Sequence, residues 1–323
     1  MNTRVSELSA YVLELNAQAK DRGVASLIGW AVATLADILG YDSAWYGWAQ
    51  LRRAGSVIHS SATLNLPQEY FDFWTRIAHQ DVLVEQFLED PTCVPTYDRN
   101  GSMQTDGMET LADTFGLRKI LTAMCVRPNR TASFYLSAYR GGSHTRDWTR
   151  EDAEFLQCAV DQISAAVRIA VQNDLASPDG AETSVFLSSH GTTLLGLREM
   201  RDRFGHLWSR HDGDSVPRWL ADYVDQPGEH LLLDQELVAR CEPVTAQDGM
   251  ASHKLSLRPL QKFDLLTPRE REVAQALARG HSHKEVARLL GVAPSTIRNQ
   301  TQSIYRKLGI DNRASLAAMA VPY

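Results

Sequence analysis

Near the C-terminus, a short stretch collects side chains of the kind that read DNA. Ser295, Arg298, Asn299, Gln302 and Arg306 recur at intervals that place them on one face of a helix. Arginine can pair bidentately with guanine, and asparagine or glutamine with adenine, in the major groove. Ser295, Thr296 and a helix N-terminus beside them suit phosphate oxygens. Ile297, Thr301, Ile304 and Leu308 fall on the opposite face at helical spacing and should be buried.

Three helices are needed to present such a face, and the sequence specifies each. Thr267 can accept from the amide three residues on, Glu270 can reach back, and Pro268 fits the first helical position; this is a capping box. Val273, Ala276, Leu277 and Ala278 supply the apolar side of that helix, and Gly280 ends it. Ser282 and Glu285 repeat the box, and Val286, Leu289 and Leu290 form the next apolar stripe up to Gly291. The turn Gly291-Val292-Ala293-Pro294 then leads into the polar helix, from about Pro294 to Leu308. A helix, a short glycine-bearing turn and a second helix make a helix-turn-helix. A merely solvated amphipathic face would explain the polar residues, but not the agreement of caps, turn length and donor chemistry.

Charge points the same way. Residues 264–323 hold nine Lys/Arg against five Asp/Glu, a net of +4, and the whole-chain net of -6 leaves -10 for residues 1–263. A basic terminal segment on an acidic body suits one nucleic-acid face.

Residues 264–320 resemble the LuxR-type (NarL/FixJ-type) DNA-binding domain of bacterial transcription regulators. The resemblance rests on Leu266-Thr267-Pro268-Arg269-Glu270-Arg271-Glu272, on Lys284-Glu285-Val286-Ala287, and on Lys307-Leu308-Gly309-Ile310-Asp311-Asn312-Arg313. It implies a four-helix domain with Arg298, Asn299 and Gln302 at base-facing positions. It also implies phosphate contacts from Lys284, Thr296 and Arg306, and a DNA-bound dimer contact through the Leu/Ala face of a last helix, Arg313 to Ala320. Ala293 stands where the family usually has a capping serine, Gln300 replaces a common histidine, and Thr301 replaces a Leu or Val. The operator therefore cannot be borrowed from other members.

With 323 residues and 44% hydrophobic content, the chain can bury two or three ordinary cores. Met1-Asn2-Thr3-Arg4 runs into a polar helix, so no signal peptide is expected. The longest apolar stretch, Val24 to Gly40, is interrupted by Ser26, Thr34 and Asp37, so no membrane span is expected. Cys93, Cys125, Cys158 and Cys241 lie far apart without a CxxC pair, as in a reduced, cytoplasmic protein.

The first 173 residues read as two helices (Val5–Ala19, Val24–Leu39), two strands (Ser43–Leu51, Val57–Leu64), and helices near Gln68–Ala78 and Val82–Glu89. A loop around Pro91–Met108, strands at Ile120–Val126 and Ala132–Tyr139 about a turn at Pro128-Asn129-Arg130, and a helix from Thr149 to about Asn173 complete the segment. This order, with the Trp148-Thr149-Arg150-Glu151-Asp152 entry to the last helix, resembles a GAF-type sensory domain. That resemblance implies an antiparallel sheet with a ligand cavity on one face and the terminal helices on the other. Sixteen of the 26 aromatic residues fall within residues 41–155. Trp45, Tyr46, Trp74 and Tyr135 are the pocket candidates, although Trp45 and Tyr46 point to opposite faces of a strand and only one of them can line a cavity. Such a lining would hold a flat or apolar small molecule through a few polar groups; equally, the aromatics could simply fill the core.

Two heptad-like seams, Val5-Leu8-Val12-Leu15-Ala19 and Leu156-Val160-Ile163-Val167-Ala170, fit either packing on their own sheet or a parallel homodimer. A polar linker centred on Ser177-Pro178-Asp179-Gly180 separates this segment from residues 184–262. Those residues read as strands Val185–Ser188 and Thr192–Leu195 about a turn at Gly191, helices Leu197–Trp208 and Pro217–Val224, and strands His230–Arg240 and His253–Leu257. They weakly resemble a small PAS-like module and could instead be a connector. His206, His211 and Cys241 lack zinc-site spacing, so no metal is expected.

The reading is thus an α+β protein with three segments: a GAF-like sensor (1–173), a PAS-like or connector module (184–262) and a LuxR-type helix-turn-helix (264–323). Its expected partners are double-stranded DNA, an unidentified small-molecule effector and a second copy of itself. No cofactor and no catalytic residue is assigned, since no Ser/His/Asp order, phosphate loop or metal cluster stands out. A phosphorylated receiver is disfavoured, because the first 40 residues are helical. Two alternatives stay open. Tyr70-x-x-x-Trp74, with Asp81 or Asp90, loosely resembles the aromatic pocket of acyl-homoserine-lactone receptors, and Cys93 with Cys125 could form a thiol switch.

Overall fold

The computed structural model describes residues 3–52, 55–125, 132–142, 145–175, 182–188, 192–207, 215–244 and 253–319, with the side chains of 172–175 excepted. The expected turns at Pro128-Asn129-Arg130 and Gly191, the centre of the linker at 177–180, Trp208, His211 and Ala320 lie outside the described residues. The chain divides into two compact units. One takes in residues 1–177, 183–228 and 240–256; the other takes in 178–182, 229–239 and 257–323. Residues 184–262 contribute to both units.

In the first unit, helices α1 (Thr3–Asp21) and α2 (Val24–Leu39) precede strands β1 (Ser43–Gln50) and β2 (Val57–Leu64). Helices α3 (Tyr70–Ile77) and α4 (Val82–Glu89), strand β3 (Thr96–Asp98) and helix α5 (Asp106–Thr114) follow. Strands β4 (Leu117–Met124) and β5 (Ser133–Gly141) lead into helix α6 (Arg150–Leu175). The strands form one sheet in the order β2-β1-β5-β4-β3, with the β1–β2, β1–β5, β4–β5 and β3–β4 pairs antiparallel.

Period-two alternation divides this sheet into two chemically different faces. Ala44, Tyr46 and Trp48 of β1, Leu121 and Ala123 of β4, and Phe134, Leu136 and Ala138 of β5 pack with α1, α2 and α6. On the other face, Trp45, Ile120, Met124, Tyr135 and Tyr139 pack with α3, α4 and α5. This is the arrangement expected of a GAF-type domain: terminal helices on one side, a helical excursion and a pocket on the other. Leu156, Val160, Ile163, Val167, Ala170, Leu15 and Ala19 are all buried in the helix-side core, with Leu8 and Val12 partly buried against it. The heptad seams are therefore spent within the chain; of their residues, Val5 is exposed.

A buried ion cluster ties the helix side together. Thr149 Oγ1 accepts the Asp152 amide while Asp152 Oδ2 accepts the Thr149 amide, the capping box expected at the start of α6. Asp152 is fully buried and also meets Arg4 at 2.6 Å and Arg146 at 3.2 Å. Arg140, 1% exposed, donates to the carbonyls of Leu39, Gly40 and Asp147 and lies 3.4 Å over the Trp148 ring. The buried Asp152 and Arg140 are thus met by fixed partners, which is the condition for burying charge, while Arg146 is half exposed.

The loop expected over Pro91–Met108 contains β3 and the start of α5 instead. Only three residues of β3 pair, too few to show a periodicity. The cap of α5 comes from Thr105, whose hydroxyl also donates to the Gln80 carbonyl.

Beyond α6 come β6 (Thr183–Leu187), β7 (Thr193–Leu195), α7 (Leu197–Phe204), α8 (Arg218–Val224), β8 (Gly228–Leu232), β9 (Leu237–Pro243) and β10 (His253–Pro259). These strands form a second sheet in the order β7-β6-β10-β9-β8. The single strand expected over His230–Arg240 is broken by a 3-10 turn at Leu233–Gln235, ended by Glu236 in the left-handed region. An isolated glutamate at positive φ carries no sequence signature, unlike a glycine.

The second unit ends in four helices: α9 (Pro268–Ala278), α10 (His283–Leu290), α11 (Pro294–Leu308) and α12 (Arg313–Met319). Their core is Leu266, Val273, Ala274, Leu277, Val286, Ala287, Ile297, Ile304, Leu308, Ile310 and Leu316. Leu289, expected on the apolar stripe of α10, is 66% exposed. Val286 and Ala287 face inward instead and Leu290 packs against the core from its edge.

Candidate DNA interface and ligand pocket

The reading helix α11 is held by its neighbours through its buried side. Both capping boxes form: Thr267 with Glu270 on α9, and Ser282 with Glu285 on α10. Gly291 closes α10 at φ 67°, a left-handed conformation open to glycine at little cost, and so sets the turn into α11. Ala293 occupies the N-cap of α11 without a side-chain bond, as its methyl dictates. Thr301 is buried where an aliphatic residue is usual, and its hydroxyl is satisfied by the Ile297 carbonyl one turn back at 2.7 Å.

Glu270 is the polar fastener of this domain. It is 8% exposed and accepts from the Thr267 amide (2.9 Å), Ser303 Oγ (2.9 Å) and Lys307 Nζ (2.6 Å). Burial alone would raise its pKa, but the hydrogen bonds from Lys307, Thr267 and Ser303 outweigh it and bring it down to about 2. Lys307 and Ser303 lie on α11, so α9 is tied to α11 through Glu270. Arg313 does the same for α12 by donating to the carbonyls of Leu277 and His281.

With that side engaged, the other is left to solvent. Ser295, Thr296, Arg298, Asn299, Gln302 and Arg306 of α11 are all exposed, and so is Lys284 on α10. Every residue assigned to DNA from the sequence thus lies on the accessible side of its helix. The dimer face expected on α12 is smaller than expected, because Leu316 is fully buried in the domain's own core, leaving Ala314, Ala318 and Met319 exposed.

A pocket lies on the α3–α5 face of the first sheet. Its wall includes Trp45, Trp74, Tyr135, Phe87, Met124 and Asp81, and it encloses about 40 Å³. A wider groove of about 690 Å³, lined by Arg52, His79, Gln80, Glu85 and Thr105 among others, adjoins it and shares Ser56, Asp81 and Val84 with it. Of the candidates, Trp45, Trp74 and Tyr135 are brought together, with Trp45 4.9 Å from Trp74 and 5.1 Å from Tyr135, ring centre to ring centre. Tyr46 lies on the opposite face, in the helix-side core. Two polar residues join the aromatic wall: Ser56, which the sequence did not single out, and Asp81, which it raised only for the lactone-receptor alternative. Ser56 immediately precedes β2, and Asp81 caps α4 through Leu83 and Val84 while accepting the Trp74 indole N–H. An Asp before an apolar helix is a legible cap, but its second bond becomes visible only in three dimensions.

Gly47 sits between Trp45 and Ala49 on this face. A Cβ there would come 2.0 Å from the Ser60 carbonyl oxygen, so the strand approach itself requires glycine.

The two cysteines proposed as a switch are separated by the sheet: Cys125 is buried in the helix-side core and Cys93 packs on the pocket side. Burial, with Asp90 nearby, pushes the Cys93 thiol up, which opposes thiolate formation. Among the described residues no cluster of three His, Cys, Asp or Glu side chains could hold a metal. No described helix is long and apolar enough to cross a membrane.

Comparison with known proteins bears on the C-terminal unit. Residues 264–320 match the profile of the bacterial regulatory proteins of the luxR family. The transcriptional regulatory protein UhpA of Escherichia coli is 44% identical over 54 residues, 17% of this chain and 28% of UhpA. The regulatory protein NarL of Mycobacterium tuberculosis is 44% identical over 57 residues, 18% of this chain and 26% of NarL. In a longer mycobacterial HTH-type relative, Rv0890c, the matching segment spans 8% of the protein. Among solved structures, the N-acylhomoserine lactone dependent LuxR family transcription factor CepR2 from Burkholderia cenocepacia is 13% identical with a TM-score of 0.39, covering 53% of this chain and 99% of its own. The GAF domain of an Acinetobacter phosphoenolpyruvate-protein phosphotransferase is 17% identical with a TM-score of 0.36, covering 55% of this chain and 99% of its own. The four terminal helices, with their capping boxes and their exposed donor face, are thus similar over residues 264–320 to the luxR family of bacterial regulatory proteins.

Proposed function

We propose that this protein is a cytoplasmic transcriptional regulator whose N-terminal unit binds a small, apolar or aromatic effector and whose terminal domain binds double-stranded DNA as a homodimer. The observation that carries the DNA half is the division of α11. Ile297, Thr301, Ile304 and Leu308 are buried, while Arg298, Asn299 and Gln302 stand exposed. Arg298, Asn299 and Gln302 read base edges, and Lys284, Ser295, Thr296 and Arg306 hold phosphates. The sensor half is supported by the aromatic pocket around Trp45, Trp74 and Tyr135 and by the groove that opens from it. Effector binding shifts the balance between DNA-competent and incompetent states by its differential affinity for them. Selection of bound fragments from genomic DNA, followed by footprinting, tests the reading. Recovery of sites with two half-sites spaced near one helical turn supports it. Recovery of unrelated sequences with equal affinity contradicts it.

One observation favours a second reading, an acyl-homoserine-lactone receptor. Tyr70 and Trp74, one turn apart on α3, lie close to Asp81 just beyond that helix, with Trp74 Nε1 2.8 Å from Asp81 and Tyr70 packed against Trp45. A stabilising shift with an acyl-homoserine lactone, absent with the free fatty acid, would favour it.

A further inference from the structure

The inner pocket holds polar atoms that the fold itself leaves unused. Among the described residues, Trp45 Nε1 and Ser56 Oγ are buried without a hydrogen-bond partner. The Tyr135 hydroxyl lies beside the Ser61 side chain. Trp45, 4% exposed, Ser56 and Tyr135 all line the one cavity. Folded proteins leave very few buried donors unpaired, and an apolar wall would accommodate a phenylalanine at position 45 without that penalty. The pocket's other polar groups are already committed. Trp74 Nε1 donates to Asp81 and Thr122 donates to Ser137 at 2.9 Å, while the nearby hydroxyls of Tyr70 and Tyr139, which do not line the cavity, pair with each other at 2.8 Å. The anchors that Tyr70 and Trp74 might have offered a ligand are thus engaged, and the free ones lie elsewhere on the wall.

The charge of the wall limits what can enter. No Lys, Arg or His is among the described lining residues of the inner pocket, Arg52 and His79 lying in the adjoining groove, so an anion held within the inner pocket would have no counter-ion on its wall. Asp81 already accepts three N–H groups, from Trp74, Leu83 and Val84. The Trp45 and Trp74 rings lie 4.9 Å apart, packed on each other rather than spread as a cage around a cation.

We propose that the ligand of this pocket is an uncharged, largely apolar or aromatic molecule bearing a hydrogen-bond acceptor, such as a carbonyl or ether oxygen, which takes the indole N–H of Trp45 and meets the Ser56 hydroxyl. This inference rests on the reading of the N-terminal unit as a small-molecule sensor. It assigns recognition to Trp45 and Ser56, leaving Trp74 and Asp81 to shape the wall.

Four probes of similar size separate the chemistries: acetophenone, which carries an acceptor; ethylbenzene, which has none; benzoate, an anion; and phenyltrimethylammonium, a cation. The full chain, labelled with ¹⁵N at its tryptophan indoles, is titrated with each, and Trp45→Phe identifies the Trp45 resonance. Acetophenone is expected to bind about 2- to 10-fold more tightly than ethylbenzene, the range for one neutral hydrogen bond, and to move the Trp45 N–H downfield. Ser56→Ala should remove part of the preference and Trp45→Phe most of it; the serine variant stands alone if the tryptophan variant fails to fold. If ethylbenzene, benzoate or phenyltrimethylammonium binds the pocket as well as acetophenone does, with the Trp45 N–H unmoved, the inference falls and the sensor reading stands. If no probe shifts Trp45 or Trp74, both fall.

Discussion

The Asp81 carboxylate joins a helix start to an aromatic wall: one oxygen caps α4 through Leu83 and Val84, and the other accepts the Trp74 indole N–H at 2.8 Å. Burial raises the pKa of this carboxyl, and the Trp74, Leu83 and Val84 donors only partly oppose it, so it ionises above its ordinary value. The sign follows directly. A carboxyl with a raised folded pKa supports the fold below its unfolded pKa, and that support is lost as pH rises through the folded one.

Asp81→Ala removes a cap worth ~1 kcal/mol. It also leaves the Trp74 N–H without its acceptor, at a further cost of about 1–3 kcal/mol. All seven tryptophans lie within residues 1–228, so intrinsic fluorescence reports this region and not the terminal helices. Denaturant unfolding followed that way should show a loss of about 2–4 kcal/mol; a change under 0.5 kcal/mol would mean that Trp74 finds another partner.

At the reading helix, Arg298→Ala and Lys284→Ala should fail in different ways. The first costs about 1–3 kcal/mol on the preferred site and flattens the difference between sites. The second weakens all sequences alike and reduces the salt slope of log K by about 0.9. Titrations at several salt concentrations on preferred and scrambled DNA check both, and retained discrimination by Arg298→Ala would remove it from the base-reading set.

Glu270→Gln should destabilise the terminal domain in a pH-dependent way. The folded carboxylate has a pKa of about 2 against an ordinary 4.5, so its contribution is full above about pH 4.5 and fades as pH falls toward 2. Allowing for the partial exposure of Lys307, a deficit of about 1–2 kcal/mol is expected at neutral pH. Calorimetry of the two proteins from pH 2 to 7 should show the gap closing at the acid end. A gap independent of pH would assign the effect to packing.

Asp152→Asn leaves Arg4, Arg140 and Arg146 around a neutral amide. Breaking a buried charge network in this way typically costs about 3–5 kcal/mol. The unfolding midpoint followed by tryptophan fluorescence should fall accordingly, and Trp148, beneath Arg140, should change its emission in the folded state. Wild-type stability would show that water or a backbone shift replaces the carboxylate.

The terminal domain was legible in the sequence because its signals are local. Capping boxes, a proline at N1 and left-handed glycines act within one or two turns, and they fixed the α9–α11 boundaries and the exposed face of α11. The alternation in β1 and β5 likewise established that Trp45 and Tyr46 must part company. The fate of the heptad seams was not legible, since the same spacing suits a partner helix or a domain's own sheet. Only the burial of Leu156, Val160 and Ile163 against β1, β4 and β5 decides between them.

By itself, then, the sequence determined most of the elements, the capped ends of the terminal helices and the donor chemistry of one helix, all set by interactions a few residues long. The tertiary structure decided what depends on long-range pairing. It set Glu270 against Lys307 across 37 residues, put Cys93 and Cys125 on opposite sides of a sheet, and left the Trp45 indole N–H free while engaging that of Trp74 with Asp81. A side chain's type fixes which bonds it can make, but which of them remain free for a ligand follows from the neighbours that folding supplies.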